Sequence, residues 1–147
     1  MRDNYILFTV ADTTYGVSSQ DVAHVELVES ITRVPNSPAH VDGVVFSRGA
    51  VVPAVNLRVR FGFQRTPFDT RTRLVVVQRD NRTVGLVVDA AREFVSISPE
   101  AIQPPSEGLN GTSGRYLRGV ATIGERMILI LDITELLNTD ELAAQEK

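Results

Sequence analysis

Few residues of this chain are spaced for chemistry, and most of those argue against it. His24 and His40 stand well apart, with no acidic ligand at metal spacing, so a zinc centre would need convergence that the order of residues does not signal. Asp21, Glu26 and Glu29 offer carboxylates for acid-base work. They fall along one strand-like segment with no nucleophile or base nearby, which is the pattern of a solvated face. Gly108, Gly111 and Gly114 lack the Gly-Lys-Ser/Thr ending and the preceding strand of a phosphate loop, so they read as a connector. Asn110-Gly111-Thr112 is a formal glycosylation sequon, relevant only to a secreted chain. With no cysteine in the sequence, disulfide, thiol and cysteine-ligated metal chemistry are all excluded. Arg48 remains. An arginine between two apolar runs must bring its guanidinium out at a strand end, and Gly49 gives the backbone freedom to turn there. It serves either as a snorkelling turn residue or as a contact for a partner.

The elements that must position these residues are strands. Short β-branched runs recur at Tyr5–Ala11, Tyr15–Ser18, Val22–Val28, His40–Phe46, Ala50–Val55, Thr72–Gln78, Thr83–Val88, Phe94–Ile97, Leu117–Ile123 and Arg126–Leu131. Runs such as Val75-Val76-Val77 and Leu86-Val87-Val88 are continuously apolar, where a sheet with one wet face would alternate. Closure into small barrels accounts for this and removes edge strands. Asx turns are expected at Asp12-Thr13-Thr14 and Asp80-Asn81-Arg82, and a type II′ hairpin at Gly124-Glu125. Asn56 and Asp132 are N-cap candidates for one or two helical turns, and Thr139 with Asp140 and Glu141 for a C-terminal helix through Gln145. The proline- and glycine-rich stretch from Ser98 to Gly114 reads as a surface loop.

The chain also repeats itself. Ile6–Val10, Asp12, Gly16, Asp21 and Val22 are echoed by Leu74–Val77, Asp80, Gly85, Asp89 and Ala90, at a spacing of about 70 residues. Arg48-Gly49, the apolar run to Val55 and Asn56-Leu57 then return as Arg118-Gly119, the run Val120–Leu131 and Asp132-Ile133. Two similar lobes related by a pseudo-twofold axis follow, with a groove between them able to hold a partner. The 147 residues are one domain's worth, and 43% hydrophobic residues suffice for a core. Fifteen basic and 18 acidic side chains, net charge -3, argue against a general nucleic-acid binder. Met1 is followed by Arg2, Asp3 and Asn4 rather than a leader-like apolar stretch, and no apolar run reaches spanning length. The expectation is a cytoplasmic, unanchored protein.

Tyr15-Gly16-Val17, Arg33-Val34-Pro35 with Pro38, Val41-Asp42-Gly43-Val44, the run from Arg48 to Arg58, Val84–Asp89 and Tyr116-Leu117-Arg118-Gly119 together resemble the CheW-type coupling proteins of bacterial chemosensory arrays, from about Tyr5 to Leu142. The resemblance implies an all-β fold of two intertwined five-stranded SH3-like barrels with short helices, including one at the C-terminus. The expected lobes cover roughly 15–75 and 76–137, the second taking a swapped N-terminal strand, 5–11, all within one domain, 1–147. It also implies no catalysis, no metal and no cofactor. The implied role is an adaptor between a CheA-type histidine kinase and the cytoplasmic hairpin tip of methyl-accepting chemoreceptors, recruited to the array. The family's receptor groove lies between the lobes. Its receptor-binding positions fall on Gly43, Arg48, Gly49, Thr72 and Gly85, and its kinase-facing strand on Val22, His24, Val25 and Glu26. Phe46-Ser47 replaces the usual Asn-Leu before Arg-Gly, and His24 stands where an acidic residue is familiar. Two other readings stay open: a coupling protein of a surface-motility or pilus system, and a small β-barrel ligand-binding domain or enzyme.

Overall fold

In the computed structural model, residues 3–105 and 114–137 are described. Tight turns set the strand pairs. The strands β1 (Asp3–Val10) and β2 (Thr13–Ser18) are joined through Ala11 and Asp12, both at positive φ, 50° and 68°. The pair β6 (Arg73–Arg79) and β7 (Arg82–Val88) turns in the same way through Asp80 and Asn81, at 52° and 67°. These are type I′ turns, favoured because their twist matches that of the strands; the first lies one residue before the expected Asx turn at Asp12, the second at the expected Asp80-Asn81. A third such turn, Arg48-Gly49 at 49° and 85°, joins β4 (Val41–Ser47) to β5 (Ala50–Asn56). Between β10 (Leu117–Ile123) and β11 (Arg126–Leu131) only Gly124 has positive φ, 60°, as the expected II′ turn requires.

With β3 (Val22–Leu27), β8 (Ala90–Ile97) and the two-residue β9 (Ile102–Gln103), these strands form a six-stranded sheet, β8-β1-β2-β11-β10-β9, and a five-stranded sheet, β3-β6-β7-β5-β4. Apart from β9, one order maps onto the other strand by strand. Each sheet has one parallel pair: β11 with β2 at Ile130↔Gly16, and β5 with β7 at Ala54↔Gly85. The all-β, two-lobed SH3-like architecture is therefore present, with one lobe holding six strands rather than five. The extra strand, β9, and a 3₁₀ turn at Pro99–Ala101 come from the stretch expected to be loop throughout.

Two expectations need correction. The sheets divide the chain near Asp89 rather than between 75 and 76, because the β6–β7 hairpin pairs on both sides with strands of the first half. On the other side, β2 accompanies β1 into the sheet of the C-terminal strands. The matched glycines of the second half-repeats are Gly43 and Gly119, not Gly49 and Gly119. Both sit at a register shift, Val41/Gly43 and Leu117/Gly119, and each would press a Cβ onto a neighbouring carbonyl. Asn56 N donates to His40 O and Asp132 N to Tyr116 O, each at 2.7 Å, which repeats the same alignment. Arg48-Gly49 thus corresponds to the Gly124-Glu125 turn. The connection before β10 is longer than the one before β4, and a shared dipeptide hid the shift.

Three cores hold this together. Tyr5, Leu7, Ile97, Ala121, Ile128 and Ile130 fill the six-stranded lobe, while Val45, Val52, Ala54, Leu74, Val76 and Val87 fill the other. A larger cluster, including Phe8, Tyr15, Val75, Val77, Leu86 and Tyr116, joins the two. In Val75-Val76-Val77 the outer two face the joint and the middle one its own lobe, so both strand faces are dry and the run has no polar alternation. The five-stranded lobe closes where Thr32 exchanges two hydrogen bonds with Val44, 2.9 and 2.8 Å. Short helices follow β5 and β11. In α1 (Leu57–Arg60) the Asn56 side chain accepts from Val59 N at 3.3 Å, and in α2 (Ile133–Leu137) Asp132 Oδ1 accepts from Glu135 N at 3.1 Å. The helix expected from Thr139 lies outside the described residues.

Candidate interaction surfaces

The seam that closes the five-stranded lobe carries the positions implied for kinase binding. A bulge between Val22 and His24 resets β3, so Val22 packs toward the central core while His24 and Glu26 turn toward the seam. Glu26 Oε2 lies 2.8 Å from His24 Nε2 and accepts from Ser47 Oγ at 3.0 Å, and Ser47 Oγ is 2.9 Å from His24 Nε2. His24 and Ser47, two of the three residues at which the sequence leaves the family pattern, are therefore in contact and bound to one carboxylate. What β3 leaves in the open is apolar: Val25 is 38% and Leu27 56% exposed. On the neighbouring hairpin Phe46 and Val51, directly opposite each other, are 75% and 65% exposed. Leu27 and Phe46 line a cavity of about 350 Å³ with Glu26 and Glu29. Ser47 is buried, so Ser47→Ala should lower stability by about 1 kcal/mol in urea unfolding, by stripping one partner from Glu26. No change would mean that water replaces the hydroxyl there.

The positions implied for receptor binding do not form one patch. Arg48 and Gly49 are exposed at the tip of the β4–β5 hairpin. Gly43 is packed against Thr32, and Gly85 against Leu74, whose Cδ1 a Cβ there would meet at 2.7 Å, so both allow close packing rather than offer contacts. Thr72 is buried, its Oγ1 accepting from Asp69 N at 2.9 Å. It lines a groove of about 130 Å³ between the lobes, with Thr9, Asp12, Asn56, Arg58 and Asp89. Arg48 does not line that groove. The length of β5 separates it from Asn56, about 20 Å at 3.3 Å per residue.

The groove's main charged pair escaped the reading of the sequence. Arg58 Nε donates to both oxygens of Asp89, at 2.9 and 3.1 Å, and Nη2 donates to Oδ2 at 2.9 Å. This hydrogen bonding holds the Arg58 proton more tightly than usual against partial desolvation, and the charges of Asp89 and Asp12 add to it. A raised folded-state pKa contributes stability that is lost only as pH rises through it, so the pair persists across the neutral range. Beside it, Arg71 N donates to Asp69 Oδ1 at 2.8 Å and holds the Asp69 carboxyl below its usual range. In the sequence Asp89 was visible as the echo of Asp21, which itself pairs with Arg79 at 3.2 Å, and as the end of the family-like segment Val84–Asp89, with no sign of its partner. Among the described residues no group of three or more His, Cys, Asp or Glu is placed to hold a metal ion, and no helix is long and apolar enough to cross a membrane.

Fold and surfaces together define an interaction domain built on two interlocked barrels. The chain belongs to the CheW-like domain family, whose model matches residues 4–141. It is 34% identical over 139 residues to the chemotaxis protein CheW of Klebsiella aerogenes, covering 95% of this chain and 84% of that one. Protein FrzA of Myxococcus xanthus is 29% identical over 140 residues, covering 94% and 87%. The crystal structure of the scaffolding protein TtCheW from Thermoanaerobacter tengcongensis superimposes with a TM-score of 0.87 at 28% identity, covering 96% of each chain. The family is one of non-catalytic scaffolds of chemotaxis signalling, which sets aside the enzyme reading.

Proposed function

We propose that the protein is a cytoplasmic adaptor that holds a CheA-type histidine kinase and the cytoplasmic tip of a chemoreceptor in one array, so that the receptor controls the kinase. The observation that carries this reading is the presence of two separate surfaces on one interlocked fold: an apolar edge at Val25, Leu27, Phe46 and Val51, and a polar groove between the lobes. The apolar edge suits a kinase domain docking a similar sheet edge, and the groove and the Arg48 hairpin suit a helical receptor tip. His24 and Glu26 then act by fixing β3 from within the seam, and Val22 by seating the strand. A pull-down with both partners present tests this: retention of kinase and receptor fragment together is expected, and retention of neither would sink it. In a second reading the same adaptor serves a non-flagellar chemosensory system, surface motility or pilus control. Gene neighbours and the receptor class retained would separate the two.

The edge makes a further expectation specific. Val25→Ala combined with Glu26→Arg should weaken kinase binding by about 1 to 3 kcal/mol and leave receptor binding nearly intact, because it removes an apolar anchor and unpairs the seam. Isothermal titration against each partner checks this. Equal loss of both affinities would indicate a folding defect rather than a docking site.

A further inference from the structure

We propose that Asp89 and Arg58 form a clamp that sets the spacing of the two lobes, and through it the width of the groove between them. Asp89 stands where the chain crosses from β7 to β8, from the five-stranded lobe to the six-stranded one. Its backbone N donates to Thr9 O at 2.9 Å, and its Oδ2 accepts from Ala11 N at 2.8 Å, so it is fastened to the β1–β2 turn of the six-stranded lobe. The same carboxylate takes the bidentate fork of Arg58 on α1, in the other lobe. A planar fork fixes direction as well as distance, which a lysine at the same place would not do.

Downstream of α1, the clamp reaches the groove wall. Phe63 N donates to Arg58 O at 2.7 Å, and Arg65 donates to Ala39 O at 2.7 Å and pairs with Asp42. The loop held in this way continues through Phe68 and Asp69 to Thr72 and forms one side of the groove, while Thr9, Asp12 and Ala90 form the other. Arg58 and Asp89 are only 24% and 29% exposed, so little water competes for their contact. Moving α1 relative to the β1–β2 turn therefore widens or narrows the groove, and the clamp opposes that motion. The pair is a positioning device for whatever the groove binds, and its effect on receptor binding rests on the adaptor reading above.

The test uses the absence of cysteine in the natural chain. Gln78→Cys and Thr122→Cys place spin labels on exposed sites, one on each sheet, for distance measurement by pulsed electron resonance. Asp89→Asn keeps an acceptor for Ala11 N but loses the charge that holds Arg58, and Arg58→Lys keeps the charge but loses the fork. The native clamp should give one narrow distance distribution, Arg58→Lys a broader one and Asp89→Asn the broadest. In parallel, affinity for a receptor-tip fragment should fall about tenfold in Asp89→Asn, with kinase affinity changed less than about twofold. Unchanged distributions in both variants would overturn the clamp. A broadened distribution with unaltered receptor affinity would overturn its control of the groove, as would equal loss of both affinities. If the native protein bound neither fragment, the adaptor reading and the effect on receptor affinity would fall together, and the distances alone would decide whether the pair spaces the lobes.

Discussion

Gly43→Ala is expected to destabilise the domain by about 3 to 5 kcal/mol, enough to remove most of the margin of a protein this size. The new Cβ would lie 2.1 Å from Thr32 O, 2.8 Å from Thr32 C and 2.9 Å from Ile31 Cγ2. Neither partner can give way cheaply. Thr32 is held to Val44 by hydrogen bonds in both directions, and these bonds close the seam of the five-stranded lobe. Gly43 also has φ +144°, which an L side chain rarely adopts, so relieving the clash by local rotation meets a second penalty. Gly49→Ala is the internal control. Its φ is +85° but nothing lies within 4 Å of the added Cβ, so only the backbone term applies, about 1 kcal/mol. Urea unfolding of the two variants side by side should separate them by several-fold in ΔΔG. If Gly43→Ala were as mild as Gly49→Ala, the seam would not be closed in solution as described.

How much of the fold is legible in the sequence follows from how local each signal is. Strand positions and the closed, two-sided burial of β6 and β7 were readable, because a strand-length run with no polar alternation must be dry on both faces. The type I′ turn at Ala11-Asp12 was not, because alanine carries no signal for positive φ. That conformation is imposed by the hairpin and by the Asp89 carboxylate accepting from Ala11 N. The repeat was visible, with Asn56 matched to Asp132 as in the fold, but it was misaligned at the Arg-Gly pair, where a geometric match between Gly43 and Gly119 lost to a dipeptide match between Arg48-Gly49 and Arg118-Gly119. Candidate sites fared according to sequence separation. Ser47 looked unrelated to His24 and Glu26, and Arg58 to Asp89, until the fold brought each set within hydrogen-bond reach. Phe46, recognisable only as a departure from the family pattern, proves to be the most exposed large apolar side chain described.

Arg48→Glu should leave the fold intact and lower affinity for the receptor tip by about 10- to 100-fold, the range expected when an attractive charge contact at a partner surface becomes repulsive. The fold is indifferent because Arg48 is exposed and already at φ 49°, a conformation that glutamate adopts at a similar penalty. Binding is not indifferent, since the I′ turn projects the side chain beyond the hairpin and a guanidinium there offers five donors to a receptor carboxylate. One internal effect must be separated from this. Arg48 follows Ser47, whose hydroxyl donates to Glu26, so a new carboxylate at 48 adds negative charge beside the seam and reaches toward the kinase edge. Arg48→Gln removes the positive charge without adding that repulsion. If Arg48 contacts the receptor, glutamine should lose part of the receptor affinity and glutamate more, with kinase affinity falling in the glutamate variant alone. Exchanging the receptor's facing carboxylate for lysine should then restore binding to Arg48→Glu and weaken it for the native protein. A folded Arg48→Glu protein with native receptor affinity would remove Arg48 from the site and leave the groove around Thr72, Arg58 and Asp89 as the surface to map.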